Sequence, residues 1–320
     1  MTDIFTSKLS KSYEDVLAVD SLDLSIKGEI YGLLGPNGSG KTTTVGMLTT
    51  LLSPSSGNAQ ICGHDVTTEP KAVRECISYV PQYMAVDIRL TGRENIDFYA
   101  KLYGIRDKVE RKRRVNYALD VMDLNERADD LTKTYSGGMQ RRLELAQALT
   151  HQPKVLFLDE PTVGLDVIAR KMIWEHIANL KKNGITIFVT THQMEEAERY
   201  CDRVGILKKG IVVKEGTPSH LKSALKSIIT IKSDGKMPST LPDDIDFIGN
   251  ENGSVVYATD NGSNMLPSLI KKYDEAGIHV YSSMVRDPTL EDIYLMSVGT
   301  GTEDAEQFNR AQIRRIIMKG

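Results

Sequence analysis

Eight residues, Gly35-Pro36-Asn37-Gly38-Ser39-Gly40-Lys41-Thr42, carry the clearest chemistry in this chain. The spacing is G-x-x-x-x-G-K-T, that of a loop that grips nucleotide phosphates. Glycines let successive backbone N–H groups turn inward on an anion, and a helix opening behind them adds the positive end of its dipole. Lys41 would touch the β- and γ-phosphates, and the Thr42 hydroxyl would ligate Mg²⁺. Without its flanks the same stretch is only a glycine-rich turn with a lysine facing solvent. The flanks supply the context: residues 29–34 read as a buried strand, and 41–52 as a helix ended by Ser53-Pro54.

Two further constellations follow. Val155-Leu156-Phe157-Leu158 is a continuous apolar run that delivers Asp159 and Glu160 at its end. Open α/β sheets place ligand chemistry at the carboxyl ends of their strands. Asp159 would hold Mg²⁺ through water, and Glu160 would polarise an attacking water. Alone, such an acidic pair is usually a helix N-cap. The second constellation is Tyr135-Ser136-Gly137-Gly138-Met139-Gln140 ahead of a helical run over 141–149. Alone, Ser-Gly-Gly is an ordinary helix start; beside a phosphate loop it is a second anion site. One subunit already holds the triphosphate on its own loop, so the second site points to a nucleotide sandwiched between two subunits.

With these residues in place, the sequence resembles the nucleotide-binding subunits of ABC transporters over about residues 1–220. Gly35 to Thr42 looks like their Walker A loop, Leu156 to Glu160 like Walker B, and Ser136-Gly137-Gly138 like the family's signature motif. Gln82 resembles the Q-loop glutamine, Gly164-Leu165-Asp166 the D-loop and His192 the switch histidine, while Tyr13 stands where an aromatic ring stacks on adenine. The resemblance implies catalytic roles for Glu160, His192, Gln82 and Lys41. It implies nucleotide contacts from Tyr13, Gly35, Pro36, Asn37, Gly38, Ser39, Gly40, Lys41, Thr42 and Thr43. In the opposite subunit, Ser136, Gly137, Gly138 and Asp166 would complete the site. Thr42, Gln82 and Asp159 would serve the metal.

The signature carries Tyr135 where leucine is common and Met139 where glutamine is common, but its serine and glycines are intact. The Tyr-Ser-Gly-Gly-Met form is similar to daunorubicin-resistance ATPases, which serve exporters of the ABC-2 kind. Pro288-Thr289-Leu290-Glu291-Asp292-Ile293-Tyr294 resembles the close of that subgroup's C-terminal extension. The resemblance therefore implies an ATP- and Mg²⁺-dependent ATPase that forms a head-to-tail homodimer on ATP. It would power a separate integral-membrane permease from the cytoplasmic face of the cell membrane. The segment from Tyr83 to Ile96 would carry the motion to that permease. Export rests on the subgroup alone, and the cargo is not written in this chain.

The elements that the resemblance implies for positioning these residues are those of an α/β P-loop ATPase. The apolar runs at 155–158 and 185–189 read as strands buried on both faces, alternating with helices as in a mainly parallel sheet. From Gln82 to about Thr150 the pattern turns helical, giving an inserted helical subdomain over about 83–150. Thr91-Gly92-Arg93-Glu94 fits a capping box for a helix stopping near Gly104. Arg111-Lys112-Arg113-Arg114 reads as a solvated helix face, with a binding patch as the alternative. Beyond residue 220 the chain becomes polar. Strands at 228–232, 254–258 and 278–282 and helices at 265–276 and 289–296 suggest a small α+β accessory domain over 221–298, in the order β-β-α-β-α. A linker and a terminal helix are expected over 299–320.

Composition narrows the class. The chain has 320 residues, 40 % apolar and 26 % charged, with a net charge of −3. That suits a large and a small globular domain and argues against a nucleic-acid partner. Cys62, Cys76 and Cys201 are too sparse for a disulfide framework or a zinc site. The first residues show no basic start and apolar run of a signal peptide, and no stretch nears the ~18–20 apolar residues of a membrane span. Work at a membrane is thus expected to go through a partner. Three rivals remain. A soluble ABC ATPase of ribosomes usually carries two nucleotide domains per chain, whereas one glycine loop lies here; an iron–sulfur assembly ATPase stays open. A DNA-repair ATPase needs a coiled-coil insertion longer than 82–136 allows. A P-loop GTPase or kinase leaves Ser136-Gly137-Gly138 unexplained.

Overall fold

The computed structural model describes residues 2–83, 85–233, 236–251 and 254–298. The tail over 299–320 lies outside the described residues. The chain divides into two compact units, one ending at Gly216 and one beginning at Thr217.

The first unit opens with β1 (Ile4–Tyr13), β2 (Val16–Ile26), β3 (Ile30–Leu34), α1 (Lys41–Leu48), β4 (Ser56–Ile61), β5 (His64–Asp65), α2 (Pro70–Cys76) and β6 (Ile77–Val80). Three longer helices follow, α3 (Gly92–Leu102), α4 (Lys108–Val121) and α5 (Gly137–Leu149). It closes with β7 (Val155–Asp159), α6 (Val167–Lys182), β8 (Thr186–Thr191), α7 (Met194–Tyr200), β9 (Arg203–Lys208) and β10 (Ile211–Gly216).

A six-stranded sheet in the order β10-β9-β3-β8-β7-β6 forms its centre, parallel except for the β10 edge. Every residue of β3, β7 and β8 is buried. A strand covered on both faces has no use for alternation, which is why these read as unbroken apolar runs. Beside it lies a four-stranded antiparallel sheet, β2-β1-β4-β5, that the sequence pattern hides. Its β1–β2 ladder shifts register three times, and Lys8 and Ser21 take left-handed backbone angles. Each irregularity resets which side chains face inward and erases the period of two.

The helix after the glycine loop is shorter than expected, stopping at Leu48 rather than near Leu52. Thr49 turns its hydroxyl back onto the Val45 carbonyl, and Thr50 adopts φ 64°, which ends the helix four residues early. The capping box of α3 is present, with Thr91 and Glu94 bonded reciprocally, and Gly104 takes φ 81° beyond its end. The basic run of α4 is only half solvated. Arg111 reaches Asp97 of α3 at 2.7 Å, and Arg114 bonds Glu110 and the Thr150 carbonyl, so both tie helices together.

The second unit contains α8 (Pro218–Lys222), β11 (Ser227–Lys232), β12 (Asp246–Glu251), β13 (Ser254–Thr259), α9 (Gly262–Glu275), β14 (Ser282–Arg286) and α10 (Leu290–Val298). Its antiparallel sheet runs β12-β13-β11-β14, so the order between β11 and α10 is β-β-β-α-β-α rather than β-β-α-β-α. β12 was hidden because Asp-Phe-Ile-Gly-Asn-Glu is polar and slips register at Gly249. The strand expected at 278–282 lies at Ser282–Arg286 instead. Ile278 bonds back to the Tyr273 carbonyl, and Ile278 and Val280 pack on the core as a loop with strand-like alternation. Among the described residues no helix is long and apolar enough to cross a membrane.

Candidate functional site

The glycine loop runs from the end of β3 to the start of α1, and its backbone requires its glycines. Gly40 takes φ 107°, and a Cβ there would lie 2.4 Å from the Ala18 carbonyl of β2. The loop therefore presses on the antiparallel sheet in a conformation open mainly to glycine. Ser39 is buried, and its hydroxyl has no hydrogen-bond partner, an orphan polar group inside the glycine loop. The Lys41 ammonium, 6 % exposed, donates to the Gly35 and Pro36 carbonyls at 2.8 and 3.2 Å. Thr42 is exposed on the first turn of α1, Thr43 half-buried beside it, while Pro36, Asn37 and Gly38 form the exposed rim.

Across from the loop, β7 brings Asp159 and Glu160 to its carboxyl end, both buried. Neither caps a helix; the cap of α6 is Asp166. Glu160 holds φ 47°, a left-handed angle that a glutamate adopts only when its surroundings impose it. Its carboxylate is the meeting point of the site. One oxygen lies 3.5 Å from the Lys41 ammonium and 3.2 Å from His192 Nδ1. The other accepts from the Gln82 amide at 3.3 Å. Lys41 arrives from α1, Gln82 from the loop after β6 and His192 from the end of β8. Four residues singled out for hydrolysis thus converge from four separated segments.

Tyr13 lies at the tip of the β1–β2 hairpin, 43 % exposed, with the Lys11 ammonium 5.2 Å from its ring centre. Ser136, Gly137, Gly138 and Asp166 form a second cluster. Ser136 caps α5 by accepting from the Met139 N–H, and Asp166 caps α6 by accepting from the Ala169 N–H at 2.9 Å. A Cβ on Gly138 would lie 2.8 Å from the Ala169 methyl, and one on Gly137 3.5 Å from a Leu165 methyl. The two helix starts are therefore packed glycine to small residue. Tyr135, the departure in the signature, is buried, donates to the Arg127 carbonyl at 2.6 Å, and has room for its hydroxyl only because residue 92 is glycine.

Sequence reasoning overlooked Thr190. Its hydroxyl bonds the Asp159 carboxylate, and both its hydroxyl and carbonyl accept from the Glu160 N–H at 3.1 Å. The available signal was a threonine at the carboxyl end of a buried strand, next to the strand bearing the acids. Among the described residues no three metal-type side chains cluster. Thr42, Asp159 and Gln82 supply oxygen donors of the hard kind that Mg²⁺ takes when substrate phosphates complete its shell, so the donor set fits.

Comparison with known proteins agrees with this geometry. The ABC transporter family profile matches residues 19–163. The daunorubicin/doxorubicin resistance ATP-binding protein of Streptomyces peucetius is 46 % identical over 225 residues, covering 70 % of this chain and 68 % of that protein. The Nod factor export ATP-binding protein I of Burkholderia orbicola is 37 % identical over 300 residues, covering 92 % and 97 %. Among solved structures, a dimeric ATP-binding cassette in a post-hydrolysis state with ADP and Pi superposes with a TM-score of 0.60 at 27 % identity, covering 67 % of this chain and 98 % of that one. A phosphate loop, paired acids on a buried strand and a Ser-Gly-Gly helix start, on this sheet and with these relatives, make the chain a member of the ABC transporter family, an ATP-hydrolysing subunit of its exporter group.

Proposed function

We propose that the chain hydrolyses Mg²⁺-ATP between two copies of itself and passes the resulting motion to a separate membrane permease that exports a drug- or antibiotic-type compound. The observation that carries the catalytic part is the Glu160 carboxylate, buried and within 3.5 Å of Lys41, Gln82 and His192. Glu160 takes a proton from the attacking water. His192 holds that carboxylate in place, and Gln82 fixes its second oxygen. Lys41 exchanges the carbonyls of its own loop for the β- and γ-phosphates, and the Ser39 hydroxyl gains the partner it lacks. Bound Mg²⁺, held by Thr42, Asp159 and Gln82, would neutralise charge on the phosphate oxygens. Tyr13 stacks on the base.

Two copies are supported by the second cluster. Ser136, Gly137 and Gly138 present a helix start beside Asp166, and Val163, Val167 and Ile168 stand exposed around it. An apolar patch beside a helix start suits a face that closes on ATP. A permease is supported by Tyr83, Ile88, Phe98 and Leu102, all exposed on or next to the segment after Gln82. A place on the cytoplasmic side of the membrane follows from these partners. Drug-type cargo is supported by the names of the relatives, which differ among themselves.

The test is Glu160→Gln, which keeps the shape of the side chain and removes the base. With ATP this variant should accumulate as a dimer in light scattering at high protein concentration and low salt. Ser136→Arg added to the same chain should return it to monomer. A Glu160→Gln chain that stays monomeric with ATP bound, or a dimer that survives Ser136→Arg, would overturn the sandwich.

A further inference from the structure

Behind the catalytic carboxylate lies a charged pair that the reading above does not use. Arg141 and Glu144, one turn apart on α5, are each 3 % exposed. The Arg141 guanidinium donates to the Pro161 carbonyl at 2.8 Å, to the Asp159 and Glu160 carbonyls at 3.3 and 3.4 Å, and to the Pro81 carbonyl at 2.8 Å. It also donates to Glu144 at 2.7 Å, whose other oxygen accepts from the Ala85 N–H at 2.6 Å. One side chain thus holds three consecutive carbonyls around Glu160 and reaches both sides of Gln82, directly at Pro81 and through Glu144 at Ala85.

We infer that Arg141 and Glu144 are a positioning pair for hydrolysis, fixing the Glu160 carboxylate relative to Gln82 and to the signature end of α5. The inference rests on the reading of Glu160 as the base. Three physical arguments support it. A buried ion pair is a weak source of stability, because desolvating two charges offsets much of their attraction. The Glu160 backbone is left-handed, and such a conformation persists only where the surroundings over-determine it. Only arginine offers five donors in a rigid planar fork; lysine is a point charge with three donors on a flexible stem. The donors here go to backbone carbonyls of two separate loops, which is the work of a brace. Ser136 also caps α5, so the brace and the turn proposed to meet the partner's nucleotide share one helix.

The test uses the full chain. Removing Arg141 alone would strand a buried carboxylate, so the principal variant is Arg141→Met with Glu144→Leu, which removes both charges together. Thermal unfolding, ATP binding by equilibrium dialysis and steady-state kinetics are measured side by side, with Arg141→Lys and Glu160→Gln in parallel. We expect the double variant to fold and bind ATP with wild-type affinity while kcat falls roughly 100-fold, the scale of a misplaced catalytic group. Arg141→Lys should fall between it and wild type. A folded double variant with wild-type kcat, beside an inactive Glu160→Gln, overturns the pair's role and leaves Glu160 standing. Parallel losses of kcat, ATP affinity and melting temperature assign the pair a purely structural part and overturn it likewise. Wild-type hydrolysis by Glu160→Gln overturns the reading of the base, and this inference with it. Should the double variant fail to fold, Arg141→Lys decides: reduced kcat at unchanged ATP affinity sustains the pair, and wild-type kcat removes it.

Discussion

The two units of this chain bury different things. The first buries Lys41, Arg141, Glu144, Asp159 and Glu160 around the carboxyl ends of parallel strands. The second buries Ile229, Ile231, Val255, Leu269 and a tyrosine pair, Tyr257 and Tyr273, whose hydroxyls satisfy each other at 2.7 Å. Its buried carboxylate, Asp292, is matched by Arg286 and the Thr289 N–H. In the second unit every polar group named here has a partner of the chain's own. In the first, Ser39 has none and Lys41 leans on its own loop carbonyls, which phosphate oxygens would replace. A buried hydroxyl without a partner also occurs in the second unit, at Thr259, so what sets the first apart is that Ser39 and Lys41 stand in one loop across from the buried Asp159 and Glu160.

The largest effect that would break this contrast is on Lys41. Lys41 is the cation proposed to meet the phosphates, so Lys41→Ala should abolish ATP hydrolysis, measured as phosphate release. The melting of the second unit should not change. Hydrolysis by Lys41→Ala at near wild-type rates would end the assignment.

A core substitution in the second unit supplies the mirror image. Leu269 on α9 is fully buried against β11 and β13, so Leu269→Ala should lower that unit's stability by about 2–5 kcal/mol. ATP affinity, followed by nucleotide titration, should stay at the wild-type value. A Leu269→Ala chain that folds yet loses ATP binding would show that the nucleotide site depends on the second unit.

A smaller effect sharpens the picture inside the first unit. Tyr13 sits on the antiparallel sheet, on the hairpin whose other strand touches Gly40. If its ring stacks on the base, Tyr13→Ala should weaken ATP binding by about 1–3 kcal/mol and leave triphosphate alone unaffected. Equal losses for ATP and triphosphate would assign Tyr13 to folding rather than to the base.

How much of this was legible beforehand follows the same contrast. The glycine loop, the acids at the end of β7 and the capping box of α3 were legible because each depends on a few residues adjacent in sequence. Of the parallel strands, β3, β7 and β8 were legible because full burial leaves an unbroken apolar run, whereas β6 and β9, broken by Ser78 and Gly205, were not read. The convergence of Gln82 and His192 on Glu160 is set by strand order, so sequence gives their candidacy only through resemblance. Arg141 and Glu144 carry no local signature, and Thr190 only its place at the end of a buried strand, since their roles consist of bonds to segments far along the chain. In the second unit, β12 and the displaced β14 were missed because edge strands with polar residues lack a hydrophobic period.

The smallest effect concerns His176 on α6, at the seam between the sheet's covering helix and the helical layer. It is 8 % exposed, and its Nε2 lies 3.6 Å from the Asp123 carboxylate at the end of α4. Burial pushes its pKa below the ordinary histidine value; Asp123 and Glu175 oppose that shift, and Arg142 adds to it. A histidine whose pKa is lower when folded binds fewer protons in the native state than in the unfolded one. Stability therefore falls as pH drops. The neutral ring's contribution is fully present above about pH 6.5, the ordinary value, and is lost progressively below it. His176→Gln should remove that share of the pH dependence, read as the difference in melting temperature between the two chains from about pH 8 to about pH 5. Asp123→Asn, which takes away an opposing charge, should deepen the acid loss. Both changes should appear in the melting of the first unit and leave that of the second unmoved. Parallel pH profiles for wild type and His176→Gln would show that the seam carries no titrating group.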